Sequence, residues 1–126
     1  MLNSILCKLN QASEAILASS VLTKDGLALA SALSKAPPSG LDEDTLVAMS
    51  SALVALGHKA ADSLVGGQFG RVLVEAKAGS LLMTEAGPEA ILAVVFRPEA
   101  EAGAVFSCMQ RASGEIAALV STRALQ

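Results

Sequence analysis

Residues 90–96 read Ala90-Ile91-Leu92-Ala93-Val94-Val95-Phe96, an unbroken apolar run. Side chains of a strand alternate between its two faces, so a run with both sets apolar predicts a central strand covered on both sides. The run follows the turn Ala86-Gly87-Pro88-Glu89 and precedes Pro98. Proline suits the first helical position, where its missing N–H is not needed, and Glu99 and Glu101 suit the positive end of a helix dipole. Beyond them Ala102, Val105, Phe106, Met109, Ala112, Ile116, Leu119 and Val120 recur at helical spacing to about Ser121. Gly103 and Gly114 weaken this closing helix by about 1 kcal/mol each relative to Ala. On the other side of the run, Ser80 to Glu85 reads as a strand. The turn Lys77-Ala78-Gly79 separates it from a further strand, Gln68 to Ala76, centred on Val72, Leu73 and Val74.

Upstream lies a long helical segment. Asp42 is placed to cap it, and Glu43 and Asp44 complement its dipole. It extends to about Val65 and stops at Gly66-Gly67, a length of about 36 Å at about 1.5 Å per residue. Leu46, Met49, Leu53, Leu56, Ala60 and Leu64 follow one stripe, and Val47, Val54, Ala61 and Val65 a neighbouring one. One stripe suffices to cover a sheet. The second, beside the small residues Ser50, Ser51, Ala52, Ala55 and Gly57, suits the close approach of another helix, and a second copy of the chain is the economical source, with cover by the chain's own Pro-rich loop as the alternative. Ser34 to Leu41, with Pro37, Pro38, Ser39 and Gly40, reads as a loop. Before it, Ala15 to Thr23 and Leu27 to Leu33 form a hairpin around Lys24-Asp25-Gly26, because Asp-Gly accepts the positive φ such a turn requires. Leu2, Ile5, Leu6 and Leu9 open the chain as a short helix to about Gln11. The order is α-β-β-α-β-β-β-α. Hairpin connections make the sheet antiparallel or mixed, and a central strand covered on both faces makes the whole an α/β/α sandwich of α+β type.

Composition narrows the function classes. The 126 residues predict one domain spanning 1–126, and 52% hydrophobic content with a net charge of −3 excludes disorder. A chain of this size buries roughly two thirds of the surface its unfolded form exposes. Nine Lys and Arg against twelve Asp and Glu, with no Tyr or Trp, argue against a nucleic-acid partner. Mean hydropathy is high at +0.54. Even so, no apolar stretch approaches the roughly 20 residues of a membrane span. Lys8 interrupts the first apolar segment, unlike a signal peptide. Two cysteines make no disulfide framework, so a reducing, cytoplasmic setting is expected.

Candidate chemistry is sparse. His58 is the only histidine, and with Cys7 and Cys108 it shows no metal-ligand spacing. It is expected at an interface or its boundary. Two imidazoles meeting at a two-fold axis would weaken association at low pH. Gly66-Gly67-Gln68-Phe69-Gly70 lacks the following helix and the Gly-Lys-Ser/Thr of a phosphate loop, so it reads as a helix stop. Cys7 and Cys108 read as packing thiols. The acidic residues at 42–44, 99 and 101 open helices, and Ser19, Ser20, Ser50 and Ser51 have no base near them in sequence. Arg71 on an edge strand guards against aggregation or meets a partner. No metal, cofactor or catalytic group is expected. A ligand pocket between sheet and helix is disfavoured by the lack of aromatics and of a convergent polar cluster.

Several stretches in this order resemble the Roadblock/dynein light chain family, including its bacterial and archaeal Mgl-type branch. They are the hairpin Val21 to Ala30, the helix start Asp42-Glu43-Asp44-Thr45-Leu46-Val47-Ala48, the Gly66-Gly67 exit into Phe69-Gly70-Arg71-Val72-Leu73-Val74-Glu75, and the strand Ile91 to Phe96 before a closing helix. The resemblance covers roughly residues 2 to 121. It implies an α+β, α/β/α sandwich of Roadblock/profilin-like type. About five mainly antiparallel strands would carry the long helix on one face and the N- and C-terminal helices on the other. It also implies a homodimer or heterodimer in which the long helices pack and the strand after them pairs across the two-fold. The expected interface residues are Val47, Val54, His58, Ala61, Val65, Phe69, Arg71 and Leu73. Finally it implies binding to a Ras-like small GTPase as a regulator or scaffold, without catalysis. A dimerising tether with no GTPase partner is the alternative.

Overall fold

The computed structural model describes residues 1–33 and 40–124, the last three of these by backbone alone. In chain order it holds α1 (Leu2–Ala12), β1 (Ile16–Thr23), β2 (Ala28–Leu33), α2 (Glu43–Ala60), a π-helical turn (Ala61–Val65), β3 (Arg71–Ala76), β4 (Gly79–Glu85), β5 (Ala90–Phe96) and α3 (Ala102–Ala124). The fold is α+β. All strand pairs are antiparallel, in the order β2-β1-β5-β4-β3. The apolar run Ala90–Phe96 is therefore the middle strand, flanked by β1 and β4, with Val94 opposite Ser19 on one side and Leu82 on the other.

Alternation along these strands feeds two cores. On one face α1 and α3 bring Leu2, Leu6, Leu9, Val105, Met109, Ala112 and Ile116 onto Val21, Leu82, Leu92, Val94 and Phe96. Burying side chains of the size of Met109 or Ile116 stabilises the fold by about 1.5–3 kcal/mol each. On the other face Val47 and Val54 of α2 cover Leu22, Met83, Ile91 and Ala93. The buried serines of β1 are satisfied: Ser19 Oγ donates to Asn10 Oδ1 at 2.8 Å, and Ser20 Oγ lies 3.0 Å from Ser31 Oγ. Gly26 takes φ +91° in the first hairpin, where Thr23 and Leu27 exchange backbone and side-chain bonds.

Local signals act as expected at the ends of α2. Asp42 Oδ2 accepts from Thr45 N at 3.3 Å and from Thr45 Oγ1 at 2.7 Å. Gly66, at φ +77°, donates its N–H to Ala61 O at 2.8 Å and ends the helical path. Other boundaries move. Arg97 N donates to Ala15 O at 2.8 Å, which prolongs the β5–β1 pairing. The chain then turns through residues 98–100, so Pro98 lies outside α3 rather than opening it. β3 begins at Arg71, not Gln68, and the Pro-rich loop expected over Ser34 to Leu41 falls, for residues 34–39, outside the described residues.

The stripes of α2 are exchanged in part relative to expectation, with Leu53 still packed on the α2-side core and Val65 81% exposed. Val47 and Val54, expected at a dimer contact, are 3% and 2% exposed beneath the chain's own sheet. The neighbouring stripe, with Met49 and Leu56, faces outward. Closeness of approach explains this. A Cβ on Gly57 would stand 2.7 Å from Phe69 Cε1 and 2.8 Å from Val72 Cγ2. A helix lying this near a sheet turns its narrow residues, here Val47, Ser50, Val54 and Gly57, toward it, and Met49 and Leu56 project outward.

Candidate functional site

β3 is an edge strand, and five of its six residues are exposed. Leu53, Leu56, Gly57 and Ala60 share one side of α2 by their three- and four-residue spacing. Gly57, against Phe69 and Val72, marks where that side meets β3. The outward flank is strongly apolar: Met49 is 59% exposed, Leu56 64%, Leu64 83% and Val65 81%. Val74, on the same face of β3 as Val72, continues this surface onto the strand, while Leu73, opposite Leu82, is exposed on the α1/α3 face of the same edge. An apolar helix flank beside an unpaired strand edge is a surface that requires a cover.

The remaining expected interface residues distribute unevenly. Val65 is exposed on this flank, Arg71 and Leu73 are exposed along the β3 edge on the sheet face of α1 and α3, and Ala61 is half-buried at the start of the π-helical turn. Phe69 packs inward on the α2-side core and stacks on His58, ring centroids 4.6 Å apart and 22° from parallel. His58 Nε2 lies 2.9 Å from Glu85 Oε2, and Lys24 Nζ lies 2.6 Å from the same oxygen. His58 is thus partnered by a carboxylate of its own chain. Partial burial works to raise the Glu85 carboxyl, but the hydrogen bonds and charges of Lys24 and His58 outweigh it and hold the group below its ordinary value. The Arg71 guanidinium lies over the Phe106 ring, 4.4 Å from its centroid, and so leans toward α3. Met49, Leu56, Leu64 and Val74 are the surface residues not expected there. On α2 the signal is size: Met49 and Leu56 are bulkier than Val47 and Val54, and the bulkier pair is the outer one.

Among the described residues no group of three or more His, Cys, Asp or Glu side chains could hold a metal ion, and no helix is long and apolar enough to cross a membrane. Cys7 is exposed and Cys108 half-buried, both as free thiols. The Asp42 carboxyl is held low by its bond from Thr45, as fits a helix cap.

Comparison with known proteins places this geometry. Residues 2–96 match the Roadblock/LC7 domain. An uncharacterized protein of Methanocaldococcus jannaschii is 33% identical over 119 residues, spanning 94% of this chain and 99% of that protein. The gliding protein MglB from Thermus thermophilus shares the fold at a TM-score of 0.86 and 24% identity, over 96% of this chain and 89% of that one. A structure of MglB with a tetrameric arrangement does so at a TM-score of 0.87 and 23% identity, over 96% and 88%. With the sheet order, the helix placement and the family match in agreement, the chain belongs to the Roadblock/LC7 domain family.

Proposed function

We propose that this protein is a non-enzymatic, cytoplasmic homodimer that binds a Ras-like small GTPase and serves it as a regulator or scaffold. The GTPase follows from the family resemblance. The homodimer is supported by one observation: the exposed flank Met49, Leu56, Leu64 and Val65 runs beside the free edge of β3. A two-fold axis at this edge pairs β3 with its copy and lays one α2 flank on the other, an isologous contact that covers both. The interface is therefore carried by Met49, Leu56, Leu64, Val65, Leu73 and Val74, with Arg71 at its margin, while Val47 and Val54 support it from the core. The resulting platform acts on a GTPase only through differential affinity for its nucleotide states.

Affinity capture from the native host lysate tests this, with GDP in one arm and a non-hydrolysable GTP analogue in the other. The proposal expects a small GTPase enriched in one arm. Equal recovery in both arms, or none, would favour a dimerising tether without a GTPase partner.

A further inference from the structure

A groove of about 300 Å³ runs between α1 and α3, on the sheet face opposite α2. Ile5, Leu9 and Ala112 lie along it, with Lys8 of α1 and Arg111 of α3 as its cations and Glu115 of α3 as its one carboxylate. Lys8 is loosely held: its Nζ stands 3.8 Å from Glu115, and its side chain is 72% exposed. Arg111 forms no ion pair among the described residues, and α1 contains no acidic residue. With two cations against one carboxylate, the groove keeps a cationic surplus, centred on Arg111, in a chain of net charge −3.

The negative counterpart is on the same molecule. Asp42, Glu43 and Asp44 are exposed in succession where α2 begins, next to half-buried Leu41. Asp42 is engaged by Thr45 as the cap, which leaves Glu43 and Asp44 without an ion pair among the described residues. Because α2 and the α1/α3 layer lie on opposite faces of the sheet, this turn cannot reach the groove of its own chain.

We propose that the α1/α3 groove docks the acidic first turn of α2 from a second copy of this chain, with Glu43 and Asp44 meeting Lys8 and Arg111 and Leu41 lying against the apolar floor. This contact is separate from the β3 edge and the α2 flank, so it links units already formed there into larger assemblies. Its ion pairs are solvent-exposed, which makes the association weak and salt-sensitive.

Sedimentation velocity tests the proposal at about 0.01 M and about 1 M salt, where the screening length falls from about 30 Å to about 3 Å. Species larger than the base unit are expected at low salt and not at high salt. Each of the double variants K8E/R111E and E43K/D44K should stay at the base unit at low salt. An equimolar mixture of the two should restore the larger species, because a reversed groove then meets a reversed turn. Circular dichroism melts matching the parent verify that both variants fold. Equal mass of the parent protein at both salt levels would overturn the proposal. So would larger species persisting in either variant, or a mixture of folded variants that fails to associate. The base unit itself is read at high salt, so failure here leaves the β3-edge dimer untouched.

Discussion

A single oxygen of Glu85 joins the first hairpin to α2: Lys24 Nζ and His58 Nε2 both close on Oε2. His58 in turn stacks on Phe69, the residue that leads into β3. The folded chain holds the Glu85 carboxyl below its ordinary value. Its contribution to stability is therefore full above that ordinary value and is lost as pH falls through the lower folded one. Glu85→Gln is expected to cost about 1 kcal/mol at neutral pH, the range for partly exposed pairs, and progressively less in strong acid. Urea titrations of both proteins at neutral pH and in strong acid read the difference. An equal loss at both would mean that the ionised carboxylate is not what matters. None of this cluster was legible in the sequence. His58 is far from Glu85 along the chain, and only the folded packing of α2 on the sheet brings them together.

The elements themselves were largely legible, because their signals are local. The central strand occupies Ala90–Phe96, the same residues its apolar run delimits, and Gly26, Asp42 and Gly66 terminate or cap the segments they were expected to. Two features of α2 were not. The switch to π-helical bonding over Ala61–Val65 leaves the run of side-chain types unchanged, so periodicity does not register it. The choice of stripe depends on how near the helix lies to the sheet, and hydrophobicity ranks both stripes alike. Gly57 sets that distance. Gly57→Ala gains about 1 kcal/mol of helix propensity but overpacks Phe69 and Val72, at a cost of about 1–3 kcal/mol. A net loss of stability is expected, read as a lower urea midpoint. An unchanged or higher midpoint would show that α2 has room to lift.

At the scale of the whole molecule, among the described residues, the chain's own helices cover the two faces of the sheet and leave its edges, β2 and β3, and it is the β3 side that adjoins an exposed apolar helix flank. That side, the β3 edge with the outer flank of α2, combines the longest exposed apolar side chains with unpaired backbone. Of the residues expected there from sequence, Val65, Arg71 and Leu73 are at the surface, and Val47 and Val54 belong to the core. The division between core and surface has a direct consequence. Val54→Ala should destabilise the fold by about 2 kcal/mol and leave the mass in solution unchanged. Leu56→Glu should leave the fold intact and abolish association, because it buries a carboxylate in an apolar contact.

Sedimentation equilibrium in high salt on the parent chain, Val54→Ala and Leu56→Glu measures this most directly. The account predicts twice the chain mass of 12.7 kDa for the first two and a single chain mass for the third. A folded Leu56→Glu protein that remains a dimer, or a parent chain that sediments as a monomer, would contradict it.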